Sequence, residues 1–150
     1  MHQIPESEIS KQTSEFGFIR YFWRGRIPVS IADGEGMKDD EYKKISNIDS
    51  KFSLNHPNIL RMYGFCPSLE KLITEVVSTT LNQIFTNEQQ FSLDETISYM
   101  IDIINGLHFL ENQGLVHNNL TPENIFLVQS PKCLKIGNFG AASHIKAQQK

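Results

Sequence analysis

No apolar run in this 150-residue sequence is long enough to cross a membrane. Its start, MHQIPESEIS, lacks the apolar stretch of a secretory signal, and His2 stands where myristoylation would need glycine. The expected compartment is therefore the cytoplasm, and the acceptor pattern Asn119-Leu120-Thr121 has no export signal to give it meaning. Cysteine is scarce. Cys66 and Cys133 lie far apart and at no metal-ligand spacing, so they read as two buried thiols rather than a disulfide or a zinc site. An excess of positive charge is missing too: a net charge of -3 offers no general attraction to nucleic acid or anionic membrane. The small cluster Arg20, Arg24 and Arg26 reads as a solvated strand face. No internal repeat or low-complexity tract is present.

What remains is an ordinary globular composition, 39% hydrophobic and 21% charged, at a length that suits one core. The first fourteen residues are polar and expected to be flexible. Residues 16–32, FGFIRYFWRGRIPVSIA, are aromatic and β-branched, broken by Gly25 and Pro28, and predict two strands around a short turn. The stretch from Asp33 to Phe52 predicts a helix, with acids at its start and Tyr42, Ile45, Ile48 and Phe52 on one face. HPNILRMYGFC (56–66) predicts a turn and a strand, KLITEVV (71–77) a buried strand, and TTLNQIF a short helix. Ser92 and Glu95 form a capping box for a long helix, on which Leu93, Ile97, Met100, Ile101, Ile104 and His108 make an apolar-leaning stripe. Pro122 marks a tight loop before the strand NIFLV, and CLKIGNF supplies its partner. The order is α+β.

The segment GLVHNNLTPENIFLV (114–128) keeps the spacing of the loop pattern H-R-D-L-x-x-x-N through His117, Leu120 and Asn124, with Asn118 and Asn119 in place of the Arg and Asp. PVSIA, HPNILRMYGFC, LITEVV and LKIGNFG follow V-A-I-K, the stretch after the regulatory helix, the strand entering the hinge and the strand carrying D-F-G. In this order they resemble the protein-kinase family from its first strands to just past its metal-binding motif. The resemblance implies a kinase-like fold, with an N-lobe at 15–77 and the first part of a C-lobe at 78–150.

It also implies a site without its chemistry. Gly17 fits the third glycine of the phosphate-covering turn, but Gln12 and Ser14 replace the first two; an alternative register starts from WRG, and neither completes the motif. Ala32 stands where the phosphate-pairing lysine belongs. Lys38 lies too far along, and the window around Asn47 holds no acid, with Glu41 nearly two turns early. Asn119 replaces the catalytic aspartate, and a neutral amide has no usable basicity. Asn138 replaces the Mg²⁺-binding aspartate, leaving Asn124 as the retained ligand, so neither a metal site nor a cofactor is expected. Thr74 would be the gatekeeper and Glu75 to Val77 the hinge, so that Gly17, Thr74 and Val76 line a vestigial pocket. Phe52, Met62, His117 and Phe139 match the hydrophobic column that links the lobes.

A kinase domain is longer than this, so Met100, Ile104, Phe109 and the NIFLV hairpin are expected to expose apolar surface suited to a partner or to self-association. FSLNHPNILRMYGFC and WRGRIPVSI most resemble the mixed lineage kinase domain-like pseudokinases. That implies a catalytically inactive decoy sequestering a receptor-interacting kinase and inhibiting necroptosis, a role that would suit a virus acting in host cytoplasm. Other readings are a pseudokinase scaffold or nucleotide-binding switch in another kinase pathway, a residual enzyme, or a non-functional fragment.

Overall fold

In the computed structural model, residues 2–15, 17, 19–33, 48, 54–139 and 142–144 are described, and they build a six-stranded sheet followed by a half that mixes two α-helices with short strands. The strands are β1 (His2–Gln3), β2 (Ile9–Thr13), β3 (Ile19–Trp23), β4 (Ile27–Asp33), β5 (Met62–Cys66) and β6 (Lys71–Thr74). Their order is β1-β5-β6-β4-β3-β2. Every pairing is antiparallel except β1 with β5.

The hairpin expected in 16–32 is β3–β4. Its turn places Arg24 and Gly25 at φ 51° and 66°, the consecutive positive values of a turn whose twist matches the strands it joins. Arg24 tolerates this conformation with its guanidinium over the Trp23 ring at 5.1 Å and its Nε 2.9 Å from Glu8 Oε2.

The expectation of a flexible start is corrected. Residues 2–3 lie parallel to Gly64 and Phe65, Ile4 is 1% exposed, and β2 pairs with β3 from Ile9–Trp23 to Thr13–Ile19. The polar composition of this segment belongs to an outer strand, whose alternating side chains meet solvent.

Alternation along β5 and β6 splits the core. Cys66 and Ile73 join Ile4 and Val29 on one side, while Met62, Phe65 and Leu72 join Leu54, Ile59, Leu110, Ile136 and Phe139 on the other. The helix expected across 33–52 lies outside the described residues except for Ile48, which is helical and packs against the second cluster.

In the second half, α1 (Leu81–Thr86) begins at a capping box formed by Thr80 and Gln83, and α2 (Leu93–Asn112) at the expected box formed by Ser92 and Glu95. β7 (Thr79–Thr80) precedes α1, and β8 (Leu115–Val116), the hairpin β9 (Ile125–Gln129) with β10 (Lys132–Ile136), and β11 (Ser143–His144) follow α2. β7 pairs with β9, and β11 with β8. Helix α2 packs on β10 through Tyr99, Gly106 and Leu110, not through the predicted stripe. Gly106 permits that contact, because a Cβ there would sit 2.9 Å from both the Asn58 carbonyl and Ile136 Cδ1. Leu93, Ile97, Met100, Ile101 and Ile104 are exposed instead.

The expected exposure of the NIFLV strand is corrected too. Ile125, Leu127 and Val128 are buried, the first two in a cluster with Leu81, Ile84, Tyr99 and Leu134. Phe109 is half-buried and stacks on His56 at 4.9 Å. Backbone bonds from Leu60 N to Ile136 O and from Ile136 N to Asn58 O, with Asn58 Nδ2 to Leu134 O, tie the turn before β5 to β10. These contacts hold the two halves on either side of a cleft.

Candidate functional site

The cleft has a deep part of about 230 Å³ and a wider mouth of about 740 Å³, which share Ser30, Ile31 and Val77. Strands β4, β5 and β6 supply its roof through Ser30, Met62 and Thr74; the turn before β9, β9 itself and the segment after β10 supply its floor through Asn124, Phe126 and Asn138. Gly17, exposed at φ 80°, closes the turn from β2 towards β3 with its N–H on the Ser14 carbonyl, and no described atom lies within 4 Å of where its Cβ would be. Val76 is half exposed and lines the mouth. Ala32 is in register with Leu72 on β6, and an alanine presents no cation. Among the described lining residues, Arg20 alone is charged.

The floor is a closed set of hydrogen bonds between neutral groups. Asn138, in the left-handed region at φ 59° where asparagine is better tolerated than most residues, donates from Nδ2 to Asn124 Oδ1 at 2.9 Å. Asn124 is 7% exposed, and its own Nδ2 donates to the Asn119 carbonyl at 2.9 Å and to Thr121 Oγ1 at 3.3 Å. Its backbone carbonyl accepts from Gly137 N–H. Both atoms of the Asn124 amide are thus committed to protein partners. Asn119 keeps an exposed side chain, while its backbone N–H reaches His117 Nδ1 at 3.2 Å. Asn118, at φ 64°, donates to Ser143 Oγ at 2.9 Å.

His117 is buried, with Nε2 2.7 Å from the Gly137 carbonyl. A carbonyl only accepts, and the Asn119 N–H only donates, so the proton belongs on Nε2 and Nδ1 is the acceptor. Burial holds this imidazole below the usual histidine range, against the opposing pull of the Gly137 bond. A neutral ring with both nitrogens occupied has no lone pair to offer a substrate. It meets Phe139 edge-on at 5.3 Å, and Phe139 shares a buried cluster with Met62. Phe52, the fourth member expected of that column, lies outside the described residues, as do Lys38, Glu41 and Asn47.

The segment after β6 has several of its polar groups paired as well. Val77 N–H donates to Ser30 Oγ at 3.0 Å, Thr74 Oγ1 to the Glu75 carbonyl at 3.0 Å, and Glu75 N–H to the Arg61 carbonyl. The Glu75 carboxylate accepts from Arg61 N–H and pairs with Lys135 Nζ at 2.9 and 3.0 Å, with both side chains largely shielded. This lysine–glutamate pair stands behind the strand rather than inside the cleft. Among the described residues no group of three His, Cys, Asp or Glu could hold a metal ion. No described helix is long and apolar enough to cross a membrane.

Ser30 and Phe126 are among the lining residues that the sequence does not single out. A Cβ on Gly137 would lie 2.8 Å from Phe126 Cε2 and 2.9 Å from Leu60 Cδ2, so this glycine lets a large ring and a leucine close the deep end. The loop motif signals the Asn124 position, but nothing in the sequence couples Ser30 to Val77. That pairing exists only after β4 meets β6.

Residues 31–150 match the family described as Protein kinase domain. Similar proteins include Tyrosine-protein kinase TXK of Homo sapiens, 29% identical over 140 residues that cover 89% of this chain and 26% of the relative. Serine/threonine-protein kinase VIK of Arabidopsis thaliana is 29% identical over 142 residues, 87% of this chain and 32% of the relative. Serine/threonine-protein kinase mos of Gymnogyps californianus is 46% identical over 55 residues, 37% of this chain and 27% of the relative. The chain spans about a quarter to a third of the length of these relatives.

Proposed function

This chain belongs to the protein kinase domain family, and on that premise we propose that it is a catalytically inactive member, a pseudokinase, that acts by binding another protein. The observation that carries the reading is the 2.9 Å bond from Asn138 to Asn124. The two side chains at the metal-holding positions of the family's motifs are both neutral, and they satisfy each other. Phosphoryl transfer depends on positioning and on stabilising concentrated negative charge, for which families of this kind use a lysine, metal ions and an aspartate. Ala32, Asn138 and Asn119 occupy those three positions. Four losses, counting the incomplete glycine turn, compound in the transition state. The relatives carry the names of kinases, and the reading of this chain as inactive rests on Ala32, Asn119 and Asn138.

The partner is proposed to be a kinase of the receptor-interacting type, sequestered in the cytoplasm so that necroptosis of a host cell is inhibited. The support is the likeness of FSLNHPNILRMYGFC and WRGRIPVSI to mixed lineage kinase domain-like pseudokinases. The test is affinity purification of the tagged protein from vertebrate cell lysate, with mass spectrometry of what stays bound. Recovery of a receptor-interacting kinase supports the decoy. A different kinase or adaptor keeps the pseudokinase and removes the necroptosis role, and soluble protein that brings down only chaperones overturns both.

A further inference from the structure

One segment of the chain forms both edges of the six-stranded sheet. β1 and β2 stand at opposite ends of the strand order, and residues 4–8 run from one to the other. The sheet they cross is curled: Trp23 on β3 meets Tyr63 on β5 at 5.6 Å, although β4 and β6 lie between those strands. In a flat sheet, with strands about 4.8 Å apart, the rings would stand roughly 14 Å from each other. The concave side carries Val29, Cys66 and Ile73, away from Met62, Leu72 and Thr74 of the deep cleft.

Residues 2–8 lie across this concavity as a peptide lies in a groove. His2 and Gln3 run parallel to Gly64 and Phe65, and Ile4 N–H donates to the Phe65 carbonyl at 2.8 Å. Ile4 itself is buried with Val29, Cys66 and Ile73. Pro5 keeps the backbone extended at φ -63° and ψ 142°. Beyond it, Glu6 Oε2 accepts from Ser68 Oγ at 3.1 Å, and Glu8 Oε2 accepts from Trp23 Nε1 at 2.8 Å and from Arg24 Nε at 2.9 Å. The Glu8 carbonyl accepts from Arg24 N–H at 2.7 Å. Gln3, Pro5, Glu6 and Ser7 are exposed, so one buried side chain and a few peripheral bonds hold the segment.

We infer that the back of this sheet is a docking groove for an extended acidic peptide, and that residues 2–8 occupy it in cis. The partner segment carries a branched aliphatic residue with acids two and four positions further on, the pattern of Ile4, Glu6 and Glu8. Each subsite follows from a contact. The outer edge of β5 offers backbone hydrogen bonds to an added strand, the mode by which sheet edges take up peptides. Val29, Cys66 and Ile73 line the socket for the aliphatic side chain. Ser68, Trp23 and Arg24 bind the acids. The wall beside them is cationic and aromatic: the Arg24 guanidinium lies 5.1 Å from the Trp23 ring centre, and that of Arg61 5.9 Å from Tyr63. Trp, Tyr and Arg are also the residue types that dominate binding energy at protein interfaces. Because the strap must leave first, a partner's apparent affinity is scaled by the fraction of chains in which the groove is open. The inference goes beyond the proposed decoy, because the groove lies apart from the cleft and its ligand is set by the strap's own chemistry.

Amide hydrogen exchange of the full chain tests the release. The Ile4 and Arg24 amides, bonded at the two ends of the strap, are expected to exchange together, at least a hundredfold faster than Ile73 within β6. Exchange of Ile4 as slow as that of Ile73 overturns the inference, because a strap that opens only with the whole fold cedes its place to nothing. Docking is tested with the synthetic peptide HQIPESEIS and the full-length variant Ile4→Asp/Glu8→Lys, which cannot seat its own strap. Trp23 is the single tryptophan of the chain and bonds to Glu8, so its emission reports on the groove. The variant, shown to be folded by circular dichroism, is expected to bind the peptide saturably and at least tenfold more tightly than the wild-type chain does. The milder Glu8→Gln, which loosens one end of the strap and leaves Ile4 in place, is expected to bind it more tightly than wild type as well. The same peptide carrying Ile4→Asp is expected not to bind. Folded variants that ignore the peptide overturn the inference, as does a wild-type chain that binds it equally well or binding that survives Ile4→Asp in the peptide.

Discussion

Asn138 Nδ2 sits 2.9 Å from Asn124 Oδ1 and donates to it, so the two motif positions expected to face a metal ion are bonded to each other. Restoring an acid at one of them does not restore a site. In Asn138→Asp the new carboxylate can only accept, and Asn124 can donate to it only by giving up its bonds to Asn119 O and Thr121 Oγ1. The expected outcome is a loss of about 1–3 kcal/mol from the unsatisfied group, seen as a lower urea midpoint, with no phosphate transfer gained.

Ser30 is the residue that shuts the hinge strand. Ser30→Ala removes the acceptor of the Val77 N–H, at a net cost of about 0.5–1.5 kcal/mol. Amide hydrogen exchange is the direct measurement: Val77 is expected to exchange faster in the variant, while Ile73 in the core of β6 is unchanged. Equal protection of Val77 in both proteins would mean that another acceptor holds it.

Gly106 sets two effects against each other. Alanine in a helix interior gains about 1 kcal/mol over glycine, yet its Cβ would meet the Asn58 carbonyl and Ile136 Cδ1 at 2.9 Å. The isoleucine can turn away, but the backbone carbonyl is anchored through its bond from Ile136 N–H. Overpacking of this kind costs about 1–3 kcal/mol, so Gly106→Ala is expected to lower the melting temperature. A rise would show that the turn at 56–60 gives way freely.

His117 and His56 predict sensitivity to mild acid. Burial lowers both, with the Lys135 charge adding to the effect at His56 and the Gly137 bond opposing it at His117. In the unfolded chain each titrates near the ordinary value of about 6.5. Above that value both states are neutral and the rings contribute nothing. Below it the unfolded chain takes up protons first, so stability falls until the folded rings also protonate. The melting temperature is expected to drop from pH 7 to pH 5, by about 2–4 °C for each kcal/mol lost in a domain of this size. His117→Gln is expected to flatten that slope.

The elements legible in the sequence were those with local causes. The β3–β4 hairpin has its turn residues, α2 has its capping box, and the loop at 117–124 has its spacing. β1 was not legible, because two residues become a strand only by lying beside Gly64 and Phe65. The inward face of α2 was misread for a different reason. Apolar residues occupy most of its circumference, so periodicity marks Leu93–Ile104 as readily as Tyr99, Ile103 and Leu110, and only packing on β10 selects between them. In the cleft, residue identities gave the missing charges at Ala32, Asn119 and Asn138. They could not give Ser30 on Val77 or Phe126 against Gly137, which are contacts between distant strands.

The most direct measurement is the melting temperature of the purified chain with and without millimolar Mg²⁺ and ATP. A cleft without the lysine, with its hinge N–H spent on Ser30 and its floor amides bonded to each other, is predicted to show no shift. A nucleotide present at a hundred times its dissociation constant would add about 2.7 kcal/mol, or about 5–11 °C at this size. A Mg²⁺-dependent rise of that order, lost in Asn138→Ala, would contradict the reading of this site as one emptied of its chemistry.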